Sequence, residues 1–165
     1  MKEDTRPADR PDLEARVAAH PFLIGMNAHQ IELLIDCVLL TRFEAGRTIF
    51  RTGETANRFY LIESGAVTLE AVSLHESPIV IDTVSAGDLL GWSWLFPPYL
   101  WHFTARAIKP TSAIFFYGTV LRQYCERDPA LGYELFKRMS EVMMRRLQAA
   151  RVALSEAMKN VPVAV

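Results

Sequence analysis

The sequence predicts a mainly β fold with flanking helices, in which a roll of short strands is followed by a long C-terminal helix. Three observations predict it. Apolar residues recur at helical intervals before about residue 38, alternate with a period of two from there to about residue 117, and return to helical spacing after Gly118. The period-two segments are short and punctuated by Gly46, Gly53, Gly65 and Gly87, the pattern of a sandwich or barrel. Last, apolar side chains recur every three or four positions from Leu131 to Met158, which makes one long helix.

Taken in order, residues 1–11 are charged, carry Pro7 and Pro11 and show no apolar face, so they read as a tail that cannot offset its own ordering entropy. Leu13, Val17 and Ala18 suggest a short helix over 12–19, stopped at His20-Pro21 because the residue before proline resists the helical region. Phe22-Leu23-Ile24 is expected to dock on the core. Asn27 and Gln30 have capping-box spacing, and Ile31, Leu34, Ile35 and Val38 follow at helical intervals, placing a second helix at about 28–37.

Strands are expected at 38–44, 47–51, 58–63, 66–73, 79–85, 103–109 and 112–117, with Glu63-Ser64-Gly65 read as a tight hairpin. Thr119 can cap a helix over 120–126. Asp128-Pro129 is a strong start for the last helix, a carboxylate N-cap followed by proline at the first helical position. The organisation expected is therefore a tail (1–11), the roll with its N-terminal helices (12–127), the long helix (128–159) and a second tail (160–165). At 1.5 Å per residue the last helix measures roughly 45 Å, longer than a small β-domain can cover, so part of its stripe needs another partner. A second copy is the economical one, giving a homodimer through 129–158.

Composition excludes several function classes. Half of the 165 residues are apolar and the net charge is −1, which supports a buried core but gives no basic footprint for nucleic acid. Cys37 and Cys125 stand alone and form no paired framework, as suits buried thiols in a reducing cytoplasm. No apolar run approaches the ~20 residues of a membrane span. His20, His29, His75 and His102 are scattered, with no metal-ligand spacing, and no nucleophile and base pair is evident, so an enzyme is not expected.

The informative stretch is 87–107. Six of the chain's 17 Phe, Trp and Tyr residues fall between Trp92 and Phe103, over a third of the total, so something is lined here or plugged. In one reading Trp92, Trp94, Phe96, Trp101 and Phe103 fill the interior of the roll. In the other they wall a pocket for a flat or apolar ligand, with Ser93, His102 and Thr104 as orienting polar groups.

The run Ile49 to Gly65, a glycine-acidic turn at Gly53-Glu54 and four apolar residues ahead of a second glycine, resembles the first signature of the cyclic-nucleotide-binding domain family. Members include the Crp/Fnr-type bacterial regulators and the regulatory subunits of protein kinases. Gly87-Asp88-Leu89-Leu90-Gly91 is similar to the start of that family's phosphate cassette, and Met144 to Gln148 to a run in its dimer helix. The resemblance covers about 20–159 and implies a double-stranded β-helix, or jelly roll, with a ligand site at Gly87, Leu90, Gly91, Trp92, Ser93, Trp94, Trp101, His102, Phe103 and Thr104.

The departures matter as much. Trp92 stands where the resemblance implies a glutamate that accepts a ribose hydroxyl bond, and an indole cannot accept it. Trp101 or His102 stands near the position of the phosphate-binding arginine, Arg106 falls later, and Ala150 and Arg151 replace adenine-recognising hydroxyls. Losing a charge-assisted phosphate bond and a ribose acceptor lowers affinity by roughly two to three orders of magnitude.

The expected function is thus a stand-alone regulatory ligand-sensing domain with weak or no cAMP or cGMP binding, signalling through its C-terminal helix. The alternatives are a true cAMP-binding protein that uses backbone amides of 91–94 with His102, or a ligand-free protein-interaction module. No cofactor is expected, haem included, because His102 has no convincing second ligand; a small molecule or nucleotide remains open as ligand. The related regulators read DNA with a helix-turn-helix beyond the long helix; this sequence ends at Val165, so direct DNA binding is not expected.

Overall fold

Eight short strands sort their side chains into two layers. In the computed structural model, which describes residues 9–72 and 77–159, the strands are β1 (Val38–Phe43), β2 (Thr48–Phe50), β3 (Arg58–Ser64), β4 (Ala66–Ala71), β5 (Ile79–Ser85), β6 (Leu89–Leu90), β7 (Thr104–Ala107) and β8 (Thr111–Tyr117). They form two antiparallel sheets, ordered β1-β8-β3-β6 and β2-β7-β4-β5. Tyr60, Ile62, Leu90 and Phe115 of the first sheet share a core with Phe50, Val67, Leu69 and Ala105 of the second.

The opposite face of the first sheet is covered by helices. Phe59, Leu61, Ile114 and Phe116 pack with Val17 of α1 (Arg10–Ala19), Leu34 of α2 (Ala28–Ile35), Leu121 of α3 (Gly118–Arg127) and Leu131, Leu135, Met139 and Val142 of α4 (Pro129–Lys159). A strand covered on both sides should read as an unbroken apolar run, and Phe59-Tyr60-Leu61-Ile62 is one, each residue at most 1% exposed. Burying each such side chain stabilises the fold by ~1.5–3 kcal/mol.

Caps set the helix ends. Gln30 N–H donates to Asn27 Oδ1 at 2.9 Å and Asn27 N–H to Gln30 Oε1 at 3.1 Å, a complete capping box. Leu131 N–H donates to Asp128 Oδ1 at 3.2 Å, starting α4 where the sequence places it. Arg138 of α4 donates through Nη1 to the Phe22 and Ile24 carbonyls, each at 2.8 Å, which pins the segment before α2. Phe22 and Leu23 dock as expected, whereas Ile24 is 61% exposed.

Several expectations need correction. Glu63-Ser64-Gly65 is not a hairpin turn: Ser64 pairs with Ser112 of β8, Ala66 pairs with Ser85 of β5, and the chain crosses from one sheet to the other at Gly65. Glycine is required there because φ is 97° and a Cβ would come 2.5 Å from the Pro110 carbonyl oxygen. Thr119 does not cap α3, which starts one residue earlier. Gly118 N–H bonds to the Asn57 carbonyl at 2.9 Å, and Tyr117 at the cap contributes no side-chain bond.

Helix α1 begins at Arg10, not residue 12, and α2 stops at Ile35, not 37. The β2 strand gives up residue 51, whose N–H turns to Glu54 Oε2 at 3.0 Å, and 103–109 contracts to Thr104–Ala107. The two-residue β6, which pairs with Tyr60 and Leu61, was not anticipated. Residues 1–8 and 160–165, the end of the 66–73 strand at residue 73, and His75 lie outside the described residues.

Helix α4 has 31 residues, so it runs for about 46 Å. Its buried side chains end at Val142, and every position from Leu147 to Lys159 is exposed. Among the described residues no helix is long and apolar enough to cross a membrane.

Candidate functional site

The segment from Gly87 to Thr104 leaves β5, adds β6 to the first sheet, makes one 3-10 turn at Ser93–Leu95 and enters β7. Its entry is fixed by Asp88, whose Oδ2 accepts the Ser85 N–H at 3.0 Å, and by Gly87 N–H to the Ile62 carbonyl at 2.8 Å. Its exit is fixed by the turn after β2. Trp101 N–H donates to the Glu54 carbonyl at 3.0 Å, and the Trp101 carbonyl accepts Gly53 N–H at 2.8 Å.

The six aromatic residues divide among different environments, so each sequence reading describes part of the segment. Trp94, 1% exposed, belongs to the helix-side core and stacks on Phe59 at 5.2 Å. Trp101, 3% exposed, belongs to the core between the sheets and stacks on Phe50 at 3.8 Å with 12° between the planes. Those two plug. Trp92 and Phe103 are half-buried and wall a cavity, Tyr99 lies under the Arg122 guanidinium at 4.2 Å, and Phe96 is 43% exposed rather than interior. The indole N–H groups of Trp94 and Trp101 are buried and meet no acceptor among the described residues.

Of the ten residues singled out from sequence, Gly91, Trp92, Ser93, Trp101, His102 and Phe103 surround one cavity of about 40 Å³. Four lie elsewhere. Leu90 is wholly buried between the sheets, Trp94 is in the helix-side core, and Gly87 lines a separate groove with Arg16 and His20. Thr104 accepts the Thr52 N–H at 3.2 Å and lines a groove with Arg51 and Arg106. The ring of Trp101 is the reason the cavity is small. A Cβ on Gly91 would lie 2.8 Å from its Cζ3, so the indole edge rests directly on the cassette glycine. His102 is exposed at the rim and makes no hydrogen bond to the described residues.

Arg146 completes the cavity wall from α4, and sequence reasoning did not single it out as a site residue. Its Nη2 donates to the Leu89 carbonyl at 2.6 Å, its Nε lies 3.5 Å from Asp82 Oδ2, and its guanidinium stands 4.9 Å from the Trp92 ring centre. Burial lowers its pKa from the usual value, opposed by the nearby carboxylates of Asp82 and Asp88. Beyond it lies a groove of about 560 Å³ between β5 and α4, walled by Ile81, Asp82, Trp92, Phe103, Val142 and Ala149 among others.

Other chemistry is weakly supported. Burial pushes the Cys37 thiol up to about 12 and the Cys125 thiol to about 11, so neither is a reactive thiolate near neutral pH. Among the described residues no three His, Cys, Asp or Glu side chains gather as a metal site would require.

Residues 40–128 match the family model for the cyclic nucleotide-binding domain. A cAMP-dependent protein kinase regulatory subunit from Schizosaccharomyces pombe is 31% identical over 71 residues, which is 43% of this chain and 16% of that protein. A structure from Geobacter metallireducens assigned as a cyclic nucleotide-binding protein superposes with a TM-score of 0.72 at 26% identity, covering 81% of this chain and 97% of its own. A cyclic nucleotide-binding domain from Methylobacillus flagellatus shares the fold with a TM-score of 0.79 at 15% identity, over 98% of this chain and 91% of its own.

Proposed function

The chain belongs to the cyclic nucleotide-binding domain family, and on that premise we propose that it is a non-catalytic ligand-sensing domain that takes cAMP and cGMP weakly or not at all. One observation carries the reading: the Trp101 indole, stacked on Phe50, rests on Gly91 and leaves only about 40 Å³ at the cassette. A cyclic phosphate would have to seat at the few water-sized positions such a cavity holds, with its ribose outside against Trp92. Trp92 adds to this, because it covers Arg146 where a ribose acceptor would be needed.

The output is α4. Arg146 links it to the pocket, and the thirteen residues from Leu147 to Lys159 are all exposed. Met144, Leu147, Leu154 and Met158 are each more than half exposed and recur at helical spacing, which supports a second copy of this chain as the partner of α4. A different protein on the same stripe is the outcome that sedimentation distinguishes. With a net charge of −1, direct DNA binding is not part of the reading.

The likeness to a cAMP-dependent kinase regulatory subunit favours a second reading, cAMP held by backbone amides near Trp92 and by His102. Isothermal titration with cAMP and cGMP decides between them. We expect a millimolar constant or no heat, whereas a low-micromolar constant for cAMP overturns the first reading.

A further inference from the structure

The pocket's chemistry narrows the ligand class, and this step rests on the reading that the domain senses a small molecule other than a cyclic nucleotide. A guanidinium offers five N–H donors in a planar fork. In Arg146, Nη2 is engaged by the Leu89 carbonyl at 2.6 Å and Nε faces Asp82 at 3.5 Å, while Nη1 has no partner among the described residues. The side chain is 19% exposed and one face is covered by Trp92. A cation withdrawn from water with donors unspent favours an anion beside it. Ser93, itself 8% exposed, lines the same cavity, and its hydroxyl bonds to none of the described residues.

Size and charge set what the anion can carry. A cavity of about 40 Å³ holds the two oxygens of a carboxylate. The adjoining groove of about 560 Å³ shares Leu69, Trp92, Phe103 and Arg146 as walls and continues along Val142 and Ala149 of α4, so the space beyond the small cavity is largely apolar. Asp82 and Asp88 line that groove together with Arg145 and Arg146, so its charges balance and it offers no net positive charge to hold a second anionic group on the ligand. We propose that the pocket takes a monocarboxylate with a flat or chain-like apolar body, its carboxylate against Arg146 Nη1 and the Ser93 hydroxyl, its body between Trp92, Phe103 and α4.

The test titrates 3-phenylpropionate, octanoate and cAMP, with 3-phenylpropionamide as the neutral twin, into the wild-type chain and into Arg146→Gln and Arg146→Lys, by calorimetry. The expected result is saturable binding of at least one acid, about ten-fold or more weaker binding of the amide, loss of a similar factor in Arg146→Gln and partial recovery in Arg146→Lys. Melting curves of the variants confirm that they fold. Absence of saturable acid binding at millimolar concentration overturns the proposal, as does equal affinity for acid and amide. If Arg146→Gln fails to fold, the acid and amide comparison on the wild-type chain decides alone. Tight cAMP binding would instead overturn the underlying reading, so the two failures are told apart in one experiment.

Discussion

Whether Trp101 truly occupies the cassette can be decided by a double-mutant cycle with Gly91. Gly91 has φ 91°, and a Cβ there would sit 2.8 Å from Cζ3 and 2.9 Å from Cη2 of the Trp101 ring. Gly91→Ala therefore meets two costs: the left-handed backbone, ~1–2 kcal/mol, and overpacking against a ring held by Phe50, ~1–3 kcal/mol. Trp101→Ala alone should cost ~3–5 kcal/mol, the cost of truncating a large buried aromatic side chain. In the Trp101→Ala background the clash is gone, so Gly91→Ala should cost only ~1–2 kcal/mol and the pair should couple by ~1–3 kcal/mol. Gly53→Ala is the internal control: φ is 84° and nothing lies within 4 Å of a Cβ there, so it reports the backbone cost alone. Urea unfolding followed by far-UV circular dichroism measures all four without relying on the tryptophan removed. Additivity within ~0.5 kcal/mol would refute the argument, since the ring and the glycine would then not be in contact.

Two further predictions follow from the helices. His20 is 4% exposed, donates Nε2–H to the Ile62 carbonyl at 2.9 Å and accepts the Phe22 N–H on Nδ1 at 3.2 Å, so it is held neutral. Burial lowers its pKa, against the opposing pull of the Ile62 carbonyl, Glu63 and Asp88. Below its unfolded value of about 6.5 the unfolded chain binds the extra proton, so stability should fall with decreasing pH from there to the lowered folded value, by at most ~1.4 kcal/mol per pH unit. His20→Gln should flatten that slope in urea titrations at successive pH values, and an unchanged slope would clear His20 of the role. For the dimer, glutamate at both Met144 and Leu147 should turn a sedimenting dimer into a monomer with the melting temperature of the roll preserved; an unchanged dimer removes α4 as the interface.

What the sequence reveals and conceals has physical causes at particular residues. The run 59–62 and the stripe from Leu131 to Val142 are readable because burial on one or both faces dictates periodicity directly. Gly65 was misread because a glycine between two strands signals a sharp bend but not which sheet receives the next strand. The two residues of β6 are too few to carry any period. Arg146 was missed because an arginine on an amphipathic helix is assigned to solvent by default, yet its position carried a signal. Leu135, Met139, Val142, Arg146, Ala149 and Ala153 succeed one another at three- and four-residue steps, so a charge stands on the face that points at the roll. That position is also the last partly buried one on α4, since every described residue after it is exposed. Among the described residues, the residue that completes the pocket is therefore the last side chain of α4 hydrogen-bonded to the roll, and on the proposed reading a ligand that redirects the Arg146 guanidinium would act on the anchoring of α4 itself.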